Sequence, residues 1–128
     1  MNIQVFDIDG VIFMTKDIPG IKPYPNDIII TGRSYEEENE TREMLAHKHI
    51  YNTVYFNTIP YNKKTRESSG LHKGRTLQKL LKEGKKIVCI YEDDEIQIEQ
   101  IRKFVDIPIV HIKHNLKDKE NNRQGEFK

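Results

Sequence analysis

Five short apolar runs separated by helical patterns predict an α/β fold, a Rossmann-like doubly wound parallel sheet of about five strands. The runs span residues 3–6, 28–30, 53–56, 87–91 and 107–112. They are rich in Ile, Val, Tyr and Phe and rarely alternate with polar residues, as strands covered on both faces read. A second observation is that helix-start and helix-stop residues occupy three of the four gaps, which predicts right-handed crossovers between parallel strands. A third is that the strong polar clusters follow directly after apolar runs, at what becomes the carboxyl edge of such a sheet.

The first helix is expected from Ser34 to about His47. Ser34 and Glu37 have capping-box spacing, and Met44 and Leu45 supply the buried stripe. The second is expected from about His72 to Glu83, with Leu77, Leu80 and Leu81 on one face and Gly84 as its stop. The third runs from about Glu95 to Val105, with Ile98, Ile101 and Val105 as its stripe. The gap over residues 11–27 holds Pro19, Gly20, Pro23 and Pro25 and no helical period, so it reads as a loop or small hairpin over the sheet. Residues 113–128 are charged and read as a fraying tail after a domain of residues 1–112.

Composition narrows the class. The chain has 128 residues, and its formal charge is 21 − 20 = +1, which fits neither a polybasic coat nor an acidic tail protein. Its 36% hydrophobic content is enough for a core, and no window approaches the ~18 apolar residues of a membrane span. No signal-peptide pattern is visible at the N-terminus. Cys89 has no second cysteine to pair with, which favours a reducing compartment, and the expected location is cytoplasmic. Cys89 itself reads as a core thiol, and His47, His49, His111 and His114 lack partners at zinc spacing.

The residues that carry chemistry follow the strands. Asp7 and Asp9, spaced i, i+2 at a strand end before Gly10, can divide labour as nucleophile and general acid–base. Read alone, the same segment is equally an ordinary turn. An EF-hand is excluded, because Val11 and Ile12 stand where a third acid and a glycine are required. Thr31-Gly32-Arg33, taken as the start of a helix, offers a hydroxyl and backbone amides to an anion; alone it reads more simply as a capped turn. Glu92-Asp93-Asp94 clusters carboxylates that a magnesium ion can hold together, or that simply open an acidic helix.

Taken together, Asp7-Ile8-Asp9-Gly10-Val11, Thr31-Gly32-Arg33, Lys73 opening a helix and Tyr91-Glu92-Asp93-Asp94 resemble motifs I to IV of the haloacid dehalogenase (HAD) superfamily, in the family's order. The resemblance covers residues 3 to about 112. It implies an Mg²⁺-dependent phosphomonoesterase working through an aspartyl-phosphate. Asp7 matches the nucleophile and Asp9 the acid and base. Thr31 and Gly32 match the phosphate-binding hydroxyl and amide, and Lys73 the neutralising lysine. Asp93 matches the magnesium-binding acid, with the Asp7 carboxylate and the Asp9 backbone carbonyl completing the metal site. The second acid often found four residues beyond the metal ligand is Gln97 here, with Asp94 as the candidate substitute.

Neither residues 11–30 nor 57–73 can hold a folded cap, so the resemblance implies an open, capless site suited to a macromolecular substrate. Residues 63–86 carry nine basic residues against Glu67 and Glu83, 9 − 2 = +7, which suits a polyanion or is merely a solvated face. Tyr51, Tyr55 and Tyr61 lie near this stretch, although Tyr55 reads as core. Thr31-Gly32-Arg33, Tyr55-Phe56-Asn57, His72-Lys73 and Ile90-Tyr91-Glu92-Asp93 are similar to the capless HAD domains of polynucleotide kinase-phosphatases and of "Swiss army knife" RNA-repair proteins. The expected partners are phosphorylated substrates, namely DNA or RNA ends or nucleotides, with no membrane. The alternatives are a small-molecule phosphatase, a non-catalytic HAD-like domain that binds a phosphate or a partner, and a nucleic-acid-binding accessory domain using the basic stretch alone.

Overall fold

A computed structural model describes residues 1–14 and 20–114; the expected tail beyond 114 lies outside the described residues. Five strands form one sheet, all neighbours parallel, in the order β3-β2-β1-β4-β5. They are β1 (Asn2–Phe6), β2 (Ile28–Ser34), β3 (Val54–Asn57), β4 (Lys86–Glu92) and β5 (Ile109–His111). Helices α1 (Glu38–Ala46), α2 (Arg66–Lys82) and α3 (Glu95–Arg102) fill the crossovers, so the doubly wound α/β reading holds. No helix among the described residues is long and apolar enough to cross a membrane.

Alternation along the strands builds two cores. Ile3, Val5, Ile28, Ile30 and Ile90 pack with Leu77, Leu80 and Ile101 beneath α2 and α3. Phe6, Ile8 and Ile29 pack with Met44 and Leu45 beneath α1. The same face receives Val11, Ile12 and Phe13 from the segment after β1, which folds back in a turn. There Ile8 O accepts from the amides of Ile12 and Phe13, and Gly20 N–H and Ile21 N–H donate to Ile12 O and Val11 O. Gly10 makes the bend possible with φ of 85°, a left-handed conformation that a side chain would resist.

Two boundaries differ from the sequence reading. Ser34 does form its capping box with Glu37, but the turn it opens is a 3₁₀ turn over Tyr35–Glu37, and β2 extends through Ser34. Thr31-Gly32-Arg33 is therefore strand, not the start of a helix. Likewise α2 begins at Arg66, capped by Thr65 with Ser68, so Lys73 lies two turns inside the helix rather than opening it. The start was hidden because Ser68, Ser69 and Gly70 are weak helix formers that read as loop.

Tertiary packing explains why those residues are nonetheless helical. A Cβ on Gly70 would lie 2.7 Å from Gln100 Cβ and 2.9 Å from the Gln97 Cα, and one on Gly74 would lie 2.4 Å from the Phe104 ring. Gly70 lets α2 approach the backbone of α3, and Gly74 makes room for the Phe104 ring just past its end; these contacts recover what glycine costs in helix propensity. Gly70→Ala should gain about 1 kcal/mol of propensity yet lose about 1–3 kcal/mol to overpacking. The expected result is a net fall in the urea midpoint with an unchanged m-value.

Candidate active site

Parity along the strands sets the site. Ile3 and Val5 face α2, and Asp7 follows on the same side at the carboxyl end of β1. Ile90 faces α2 as well, and Glu92 is two residues on. Since Phe6 pairs with Tyr91, and Asp7 N–H donates to Tyr91 O at 3.2 Å, the two acids emerge side by side. Lys73 comes down from α2 between them: its Nζ is 3.0 Å from Asp7 Oδ1 and 2.6 Å from Glu92 Oε2. All three side chains are buried. Burial alone would lower the Lys73 pKa, but the two carboxylates outweigh it and hold the ammonium charged beyond its ordinary range.

Asp93 completes the cluster. One carboxylate oxygen from each of Asp7, Glu92 and Asp93 lies within 4.8 Å of the others. Every donor in this group is a hard carboxylate oxygen, and the three converge in a largely buried place. That donor set fits a hard divalent cation such as Mg²⁺. His114, from the segment after β5, donates through Nε2 to Asp93 Oδ2 at 2.6 Å.

The structure distributes the remaining sequence candidates differently. The Asp9 carboxylate is not in the acidic cluster; it makes a two-pronged pair with Arg33, Nε to Oδ2 at 2.9 Å and Nη2 to Oδ1 at 3.0 Å. Arg33 is anchored in turn on α1 by Thr41 Oγ1 and Met44 Sδ, and Asp9 outweighs burial to hold its pKa above the usual value. Thr31 is fully buried, and its hydroxyl accepts from Arg33 N–H at 3.0 Å. Gly32 lies against α2, where a Cβ would stand 2.7 Å from Ser69 Oγ, and its carbonyl accepts from Asn57 Nδ2. Asp94, the candidate substitute, stands outside the acidic cluster: it caps α3, accepting from Ile96 N–H and Gln97 N–H, and is gripped by Arg66. Burial works against its charge, but Arg66 and those amides hold its pKa below the ordinary carboxylate value.

Glu92 was read in the sequence only as part of the Glu92-Asp93-Asp94 cluster, with Asp93 as the ligand, and His114 was not read as part of the site. The signal for Glu92 was present, since it continues the period-two face of Ile90, whereas His114 has no local signal at all. The +7 stretch is also less available than its composition implies. Lys64 pairs with Glu37, Arg66 with Asp94 and Lys73 with the buried acids. Lys79 and Lys82 sit at the far end of α2, Lys82 about 13 Å along the helix axis from Lys73. Lys63, Tyr61 and Tyr35 are exposed at the carboxyl edge.

The fold and cluster together define a doubly wound α/β domain with an acid–lysine centre at the carboxyl edge of its sheet. No family profile matches the sequence, and no curated protein matches it. Among solved structures, a chain of the "Pnkp1/Rnl/Hen1 RNA repair complex" is similar, with a TM-score of 0.69 and 14% identity. The match covers 89% of this chain and 43% of that one, so this chain spans less than half the length of its structural neighbour. At that identity the likeness shows the fold.

His72, next to Lys73, packs under the sheet edge with Nε2 3.4 Å from Tyr55 O. Burial, reinforced by Lys73, lowers its pKa from 6.5 to about 4. The unfolded chain therefore binds a proton that the folded chain refuses, and stability falls as pH drops from about 6.5 towards 4. From pH 7.5 to pH 5 the loss should be about 1–2 kcal/mol. Urea unfolding of wild type and His72→Gln at both pH values checks this, the variant losing less on acidification.

Proposed function

We propose that this chain is an Mg²⁺-dependent phosphomonoesterase of the HAD type, acting through a phosphorylated Asp7. The observation that carries the reading is the buried contact of Lys73 with both Asp7 and Glu92, with Asp93 closing the acidic cluster. Asp7, Glu92 and Asp93 would hold the cation, which supplies positive charge to the phosphoryl oxygens when bound. In this reading the Asp9 backbone carbonyl contributes to the metal site, not its side chain.

In the first step one Asp7 carboxylate oxygen attacks phosphorus, and the bond from phosphorus to the ester oxygen breaks. The leaving alkoxide takes a proton from Asp9, which must first turn away from the guanidinium of Arg33 and take up a proton from solvent to become the acid. Water then attacks the acyl-phosphate, Asp9 receives its proton, and inorganic phosphate leaves with the Asp7 carboxylate restored. Lys73 keeps the nucleophile oriented and offsets charge, while the Thr31 hydroxyl and Gly32 amide serve the transferring group.

Asp7→Asn should abolish phosphate release, because an amide does not form the acyl-phosphate. A malachite-green assay with Mg²⁺ present decides it: turnover within tenfold of wild type would exclude the covalent route.

The substrate class proposed is a phosphorylated polynucleotide end. It rests on the absence of room for a cap and on Lys63 and Tyr61 exposed at the carboxyl edge. Oligonucleotides with a 3′- or 5′-phosphate should be hydrolysed with higher kcat/KM than mononucleotides or sugar phosphates, and the preference should shrink as salt rises. Lys63→Ala should reduce that salt slope by about 1 while sparing a generic phosphate ester. Equal kcat/KM for oligonucleotide and mononucleotide at every salt concentration would leave a small-molecule phosphatase.

A further inference from the structure

The end of the described chain reaches back into the acidic cluster. Strand β5 pairs with β4 so that Glu92 stands opposite His111, and Ile112 N–H donates to Glu92 O at 2.9 Å. This register leads the chain that follows His111 past Asp93 and Asp94. His114 Nε2 then meets Asp93 Oδ2 at 2.6 Å, where the His114 side chain is 13% exposed and that of Asp93 1%. His114 is nevertheless not part of the group whose donor atoms lie within 4.8 Å of one another. It touches Asp93 from outside the cluster formed with Asp7 and Glu92.

We infer that His114 is a positioning residue that holds Asp93 in its cation-binding orientation by gripping one carboxylate oxygen from behind. The inference rests on the cation site proposed above and adds to it a group from the far edge of the sheet. The Asp93 carboxylate stands beside those of Asp7 and Glu92, and the His114 hydrogen bond fixes the place of its Oδ2 before any ion arrives. Such outer partners typically change metal affinity by about 10–100-fold.

The test uses the full chain and Mn²⁺ as a spin probe, with free Mn²⁺ counted by electron paramagnetic resonance. His114→Ala should weaken Mn²⁺ binding about tenfold. His114→Gln, whose amide can still donate to Asp93, should recover most of it. Thermal unfolding without metal should be nearly the same for both variants, which separates positioning from a structural role. If Asp93→Ala weakens Mn²⁺ binding but His114→Ala does not, the positioning role falls and the cation site stands. Should His114→Gln be as weak as His114→Ala, a hydrogen-bond donor at this position does not hold Asp93 and the inference is wrong. If Asp93→Ala binds Mn²⁺ as well as wild type, the cation site itself is lost, and the inference goes with it.

Discussion

A lysine ammonium buried between two carboxylates is the constraint around which this domain is organised. Lys73 is desolvated, so it is tolerable only while Asp7 and Glu92 are both within reach. The acids in turn come from different strands, and they meet only because β1 and β4 are parallel neighbours in the register that pairs Phe6 with Tyr91. Removing Lys73 leaves two buried carboxylates without the counter-charge they share. The site is therefore tied to the sheet, and its geometry is as rigid as the pairing of two central strands.

Bringing Lys73 to that depth depends on how closely α2 can lie against its neighbours. Gly70 admits α3, Gly74 admits the Phe104 ring that follows it, and Gly32 admits Ser69, one turn before Lys73 on the same helix face. Each of these contacts leaves no space for a Cβ. The small residues that weaken the helix in isolation are the ones that let it seat, so local propensity and tertiary packing pull in opposite directions here, and packing prevails.

A second polar centre is built on the opposite side of β1. Asp9 and Arg33 form a closed pair held by α1 through Thr41 and Met44. Its separation from the Asp7–Lys73–Glu92 centre means that two aspartates only two residues apart answer to different helices. One is governed by α2 and the other by α1. Any chemistry that uses both must draw Asp9 out of its pair, and Arg33 is the group that sets how readily that happens.

The architecture was legible in the sequence because its signals are local. Period-two faces, the Ser34–Glu37 capping box and the apolar stripes of α1 and α3 each arise within a few residues, and they appear in the structure nearly where the sequence puts them. Asp7 could be singled out on the same grounds, whereas Lys73 was picked out only by resemblance to a family motif at a helix start, and it lies two turns inside α2. What the sequence left open were the partners. That Glu92 shares Lys73, that Asp9 belongs to Arg33, that Asp94 is a helix cap and that His114 reaches Asp93 all depend on register between strands and on the depth of a helix over a sheet. These are sums of many weak contacts across long stretches of chain, and no short window of residues contains them.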